Sequence, residues 1–328
     1  MKKIIIAAAI FLATPVLAND TIAELGTGGL QFVRSEAIEM VREDLYISTK
    51  QIRVDYVFAN RSSKDIEALV AFPMPPLEGN PFEAPAIPDP SSDNFLDFSV
   101  TIEGVSIRPN LEQRAIALGI DVSEKLRKLN IPLMPFGRGT AKALARLKPP
   151  VLDDLLASGI IINDVFDDGN GMKSHPEAIW KLNSTFWWRM VFPANKEIKV
   201  AHRYTPSVGA STTLAFYDYG YGKDQDALKL YREKYCMDEA FLRAVERHQK
   251  VLKDNMYENY ISYILSTGSN WLGPIGSFNL SIDKGRTNNL VSFCGSNVRK
   301  TGPTVFEMTI KDFYPQGELD ILLLQSSL

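Results

Sequence analysis

Gly268-Ser269-Asn270-Trp271-Leu272-Gly273-Pro274-Ile275-Gly276 opens the stretch that decides the fold, residues 268–324. It continues through Phe278-Asn279-Leu280-Ser281-Ile282-Asp283 and Asn289-Leu290-Val291-Ser292-Phe293-Cys294. It closes with Val305-Phe306-Glu307-Met308-Thr309-Ile310 and Leu319-Asp320-Ile321-Leu322-Leu323-Leu324. Four short apolar runs separated by Gly, Pro and Asn predict strands joined by turns. The order predicts a β-meander that completes the core.

Upstream, the same period-two signal recurs. Ile52-Arg53-Val54-Asp55-Tyr56-Val57-Phe58 alternates cleanly, and after a polar turn residues 66–72 read as its hairpin partner. Residues 95–107 return to alternation. Phe186, Trp188, Met190 and Phe192 share one face of a further strand, while Trp187, Arg189 and Val191 share the other. Pro193-Ala194-Asn195-Lys196-Glu197 then leads into Ile198, Val200, His202 and Tyr204, which reads as a hairpin. Seven prolines between Pro73 and Pro90 exclude a central strand or a helix and predict a surface loop.

Two regions have helical spacing. Leu111, Ala115, Leu118, Leu126, Leu129, Leu144, Leu155 and their neighbours, punctuated by prolines, predict a helical insertion over about 111–158. Residues 224–253 predict a helix pair, capped by Asp224 or Asp226 and by Asp238, with Cys236 at the joint. The fold expected is α+β and β-rich: one antiparallel, sandwich-like domain over residues 19–328 with helical insertions.

The N-terminus carries Lys2 and Lys3, an apolar run, and small residues at Val16 and Ala18. This is a secretory signal peptide over residues 1–18, with cleavage expected after Ala18 and a periplasmic product. Its apolar run is short of the ~20 residues a span needs, and no later segment reaches that length, so no span is expected in the mature chain. Cleavage takes the net charge from −3 to −5. That balance argues against nucleic-acid binding, which needs a clustered basic surface. The two cysteines, Cys236 and Cys294, are expected to form one structural disulfide in an exported chain.

Catalytic patterns are sparse. The three histidines, His175, His202 and His248, lack the spacing of a helical metal site. There is no Gly-x-Ser-x-Gly elbow and no phosphate-loop signature. Asp164, Asp167, Asp168, Gly169 and Asn170 suggest a calcium loop, but Phe166 falls where an oxygen ligand belongs, so a polar hairpin or Asx turn is expected. No catalytic residue, metal or cofactor is assigned.

Several motifs resemble a known family. They are Ala23-Glu24-Leu25-Gly26-Thr27-Gly28-Gly29-Leu30, Glu43-Asp44-Leu45-Tyr46-Ile47-Ser48, Val70-Ala71-Phe72-Pro73-Met74-Pro75 and Val200-Ala201-His202-Arg203-Tyr204-Thr205-Pro206-Ser207-Val208-Gly209, with residues 271–294. Together they resemble the bacterial domain-of-unknown-function family numbered 4424 across nearly the whole mature chain. The resemblance implies an exported bacterial protein and carries over no functional residue.

The leading expectation is a non-catalytic module for an envelope glycan, or for a periplasmic or outer-membrane protein. Trp187, Arg189, His202, Arg203 and Trp271 are its candidate ligand contacts, since a flat aromatic ring can cover the apolar face of a sugar. The alternative is a cell-envelope polysaccharide or peptidoglycan hydrolase. It would use His202 with Arg203 and the turn of Asp164, Asp167 and Asp168. That reading requires His202 to open into a cleft beside a carboxylate.

Overall fold

The computed structural model describes residues 20–26, 29–80, 86–167, 169, 171–218, 222–252 and 255–327. The expected signal peptide and Asp168 lie outside them. Three sheets form the body. The central one runs in the order Arg299–Lys300, Val305–Phe313, Ile275–Asp283, Ile38–Ser48, Ile52–Asn60, Glu197–Tyr204, Ser99–Ile102, Val105–Ile107. A second sheet runs Ile120–Asp121, Asn110–Ala117, Lys181–Phe192, Ile66–Pro73, Thr21–Gly26, Gly29–Val33, with Leu77–Glu78 also on Lys181–Phe192. A third runs Gly209–Ser211, Tyr257–Ile264, Glu318–Gln325, Leu290–Phe293. The protein is therefore β-rich and sandwich-like, with few helices. Among the described residues, all pairings are antiparallel except Ile275–Asp283 on Ile38–Ser48, which is parallel.

Register explains the core. Leu280 pairs with Leu45, Leu45 with Val54, Val54 with His202, and His202 with Val100. This row crosses the central sheet on one face, because side chains opposite each other share a face. That face is buried in one apolar cluster with Val70, Phe72, Phe186 and Trp188 of the second sheet and Ile261, Tyr263, Ile321 and Leu323 of the third. Both smaller sheets thus cover the central one. Each fully buried large apolar side chain contributes about 1.5–3 kcal/mol.

The C-terminal strands are not a meander. Ile275–Asp283 and Val305–Phe313 pair in the central sheet, while Leu290–Phe293 and Glu318–Gln325 pair in the third. The chain alternates between sheets and completes two of them. The expected hairpins at residues 52–72 and 186–204 are also corrected. In each, consecutive strands enter opposite sheets as an arch. The two arches brace each other: Asn60 Nδ2 donates to the Phe192 carbonyl at 2.8 Å, and Asp65 accepts from the Ala194 N–H at 2.8 Å.

Residues 110–117 are a strand, so the helical insertion starts later than expected. Its helices are Ser123–Lys128, Arg138–Leu144 and Pro149–Ala157. Leu126, Leu144 and Leu155 pack with Trp180, whose indole N–H donates to the Leu133 carbonyl at 2.7 Å. The helix pair is Gln225–Tyr235 and Glu239–Glu246, capped by Asp224 and Asp238 as their side-chain geometry requires. It packs on Leu322 and Leu324 of the third sheet. Cys236, in the left-handed conformation after the first helix, is disulfide-bonded to Cys294. The disulfide ties the helix pair to the C-terminal sheet, as the sequence predicts.

Candidate functional site

The five candidate residues separate into three environments. His202 is fully buried, with its ring 4.8–5.4 Å from those of Tyr56, Phe72, Phe98 and Trp188. Its Nε2 lies 3.5 Å from the Asp20 carboxyl. Burial, with the nearby Arg203 charge, pushes the imidazole down to about 3. Burial, with Glu43 beside it, holds the Asp20 carboxyl well above the ordinary carboxylate range. Both shifts favour neutral forms, because a low-polarity interior penalises charge. A carboxyl is in reach, as the hydrolase reading needs, but no cleft is. A substrate cannot touch this histidine without opening the core.

Trp271 is also interior, at 1% exposure. It packs on Phe58 with 4.4 Å between centroids, and its indole N–H donates to the Asp20 carbonyl at 2.8 Å. Asn270 Nδ2 donates to Thr21 Oγ1 at 2.8 Å. Trp271 therefore fastens the first strand to the C-terminal part of the chain, and no ligand reaches it. Arg203 is on the opposite face of its strand from His202, by simple alternation. Its Nη2 donates to both carboxylate oxygens of Asp55, at 2.8 and 3.1 Å. The two neighbours in sequence do not share a site.

Trp187 and Arg189 lie together on the outer face of the second sheet. Trp187 stands opposite Ala71, Arg189 opposite Leu69, Leu69 opposite Ala23, and Ala23 opposite Phe32. Ala23, Leu69 and Ala71 are buried beneath half-buried Trp187, Leu30 and Phe32. The small alanines leave room for the large side chains to cover the sheet. The cover comes from the first two strands. Beside this patch Arg189 faces Glu67 at 3.7 Å, with both side chains more than 60% exposed.

The acidic turn is a hairpin. Ile161–Asp167 pairs with Met172–Ala178, and Asp167 Oδ1 accepts from the Gly169 and Gly171 N–H groups at 2.9 and 3.0 Å. This is the expected Asx turn. Among the described residues, no group of three or more His, Cys, Asp or Glu is placed to hold a metal ion, and no helix is long and apolar enough to cross a membrane.

The sequence profile of a domain of unknown function, DUF4424, matches residues 18–322. The chain belongs to this family. No curated protein matches it. Among solved structures it is similar to the crystal structure of a "putative nutrient binding protein" from Legionella pneumophila, at 14% identity and a TM-score of 0.45. The match covers 94% of this chain and 70% of that one.

Membership in DUF4424 brings no residue roles, so the site rests on geometry. Sequence reasoning named Trp187 and Arg189 but missed Leu30 and Phe32. Their signal was present: Leu30 and Phe32 alternate within Gly29–Val33. The glycines before them obscured a strand whose pairing with Thr21–Gly26 puts both on the same face of the sheet as Trp187.

Proposed function

We propose that this chain is an exported, periplasmic, non-catalytic binding module of the bacterial envelope, and that it recognises a glycan on the outer face of its second sheet. The observation that carries this reading is the half-buried patch of Trp187, Phe32 and Leu30 over Ala23 and Ala71, flanked by the exposed Arg189 and Glu67 pair. A flat aromatic patch suits the apolar face of a pyranose, and the charged pair supplies donors and acceptors for its hydroxyls. Export is supported by the leader pattern, by the disulfide, and by a family match that begins at residue 18, where the leader is expected to end.

The test is a binding screen of the mature chain against cell-wall and exopolysaccharide fragments, repeated with Trp187→Ala. The variant should stay folded and weaken the positive fragment by about tenfold or more, as removing a central aromatic contact does. A screen without a positive fragment defeats the glycan reading. Co-purification of a stoichiometric envelope protein that Trp187→Ala releases would instead place a protein on this face.

A further inference from the structure

A cleft of about 370 Å³ lies between the helical insertion and the hairpin of Ile161–Asp167 and Met172–Ala178. Pro135, Phe136 and Leu144 give it an apolar wall, and Arg138 and Glu177 are its charged lining. Its size falls in the range of small-molecule sites, about 300–1,000 Å³. It shares no residue with the aromatic face.

The charges in and behind this cleft are unsatisfied by protein. Among the described residues, the side chains of Arg138, Glu177 and Asp164 make no hydrogen bond or ion pair. Arg138 is exposed, but Glu177 and Asp164 are partly buried, and other partly buried charges have ion-pair partners, as Lys181 has Glu78 and Arg203 has Asp55. Asp164 stands opposite His175 in the hairpin register, and Glu177 is two residues along the same strand, so all three share a face. His175 stacks on Phe166 with 4.0 Å between centroids, and its buried Nε2 has no hydrogen-bond partner. Burial and then the Asp164 charge raise the Glu177 carboxyl, with His175 opposing. One side of the cleft therefore attracts a cation, and the arginine at its other side attracts an anion.

We infer that this cleft binds a small zwitterion with an apolar side chain, a free amino acid or short peptide with unblocked ends. Its ammonium faces Glu177, with the Asp164 charge behind it, its carboxylate faces Arg138, and its side chain lies on Phe136 and Leu144. A purely anionic ligand would meet the Glu177 carboxylate, and a purely cationic one would leave Arg138 unused.

Isothermal titration of the mature chain tests this with L-leucine and L-alanyl-L-leucine as probes and N-acetyl-L-leucine amide as the uncharged control. At least one zwitterion should bind, and the capped control should not. Glu177→Gln and Arg138→Ala should each weaken binding by about tenfold or more, the scale of a lost charge-assisted contact. Neither residue has a protein partner, so both variants should keep the wild-type melting temperature. Trp187→Ala should leave this binding unchanged, which separates it from the glycan reading. The inference is overturned if neither zwitterion binds at millimolar concentration, if the capped control binds as well, or if both charge variants bind like wild type.

Discussion

Replacing His202 with Gln removes a titrating group from the core while keeping a polar side chain there. In the folded protein burial holds this imidazole near 3, against 6.5 when exposed. The folded value is depressed, so the fold favours the neutral form. Above pH 6.5 neither state is protonated and His202 adds no pH dependence. As pH falls from 6.5 toward 3, the unfolded chain takes up a proton that the folded chain excludes. Stability then drops by about 1.4 kcal/mol per pH unit. Between about pH 7.5 and about pH 5 the loss is about 2 kcal/mol. Asp20 works in the opposite sense, since its folded carboxyl is raised and its stabilisation fades as pH rises. It is present in both proteins and cancels to first order in their difference. Urea unfolding followed by tryptophan fluorescence at the two pH values measures the effect. The stability of wild type relative to His202→Gln should be about 2 kcal/mol lower at the acidic pH. A difference that stays constant between the two would refute the reasoning, because it would mean that the folded core accepts the proton or admits water to it.

Other perturbations read the architecture. Cys294→Ser opens a disulfide spanning 58 residues, and the loop-closure argument gives a loss of about 4 kcal/mol; an unchanged melting temperature on calorimetry would show that the bond contributes nothing. Trp271→Phe keeps the ring but leaves the Asp20 carbonyl without its indole donor, and should cost about 1–3 kcal/mol in chemical denaturation. Glu258 accepts from the Tyr231 hydroxyl and the Ala215 N–H, each at 2.9 Å, and burial lifts its carboxyl to about 7. Its folded value is raised, so its contribution is full below about pH 4.5 and is lost as pH rises through about 7. Glu258→Gln should flatten the stability profile over that window; an equally steep profile in the variant would assign the slope to other groups.

Much of this protein is legible one segment at a time. The period-two runs in residues 268–324 are strands, Asp224 and Asp238 cap helices, and Cys236 meets Cys294. Each of these follows from local spacing, cap chemistry or a count of two cysteines. Residues 110–117 misled because Leu111 and Ala115 are four apart, a helical interval, while Leu111, Gln113, Ala115 and Ala117 also alternate as the inner face of a strand. Only pairing with Lys181–Phe192 decides between the two.

The sequence by itself determined that the chain is β-rich, where most strands lie, and which side chains share a face of each. Alternation already places Trp187 with Arg189 and His202 opposite Arg203. It does not say which face meets the interior, nor which sheet a strand joins. A link of four or five residues, such as 193–196, serves a hairpin and an arch equally well. The choice is made by distant partners: Ile66–Pro73 takes up Phe192, and Ile52–Asn60 takes up Glu197–Tyr204. That choice sends His202 and Trp271 into the core and leaves Trp187 outside, on the same face as Phe32. The burial energy that settles it belongs to all three sheets at once, and no single strand carries it in its own residues.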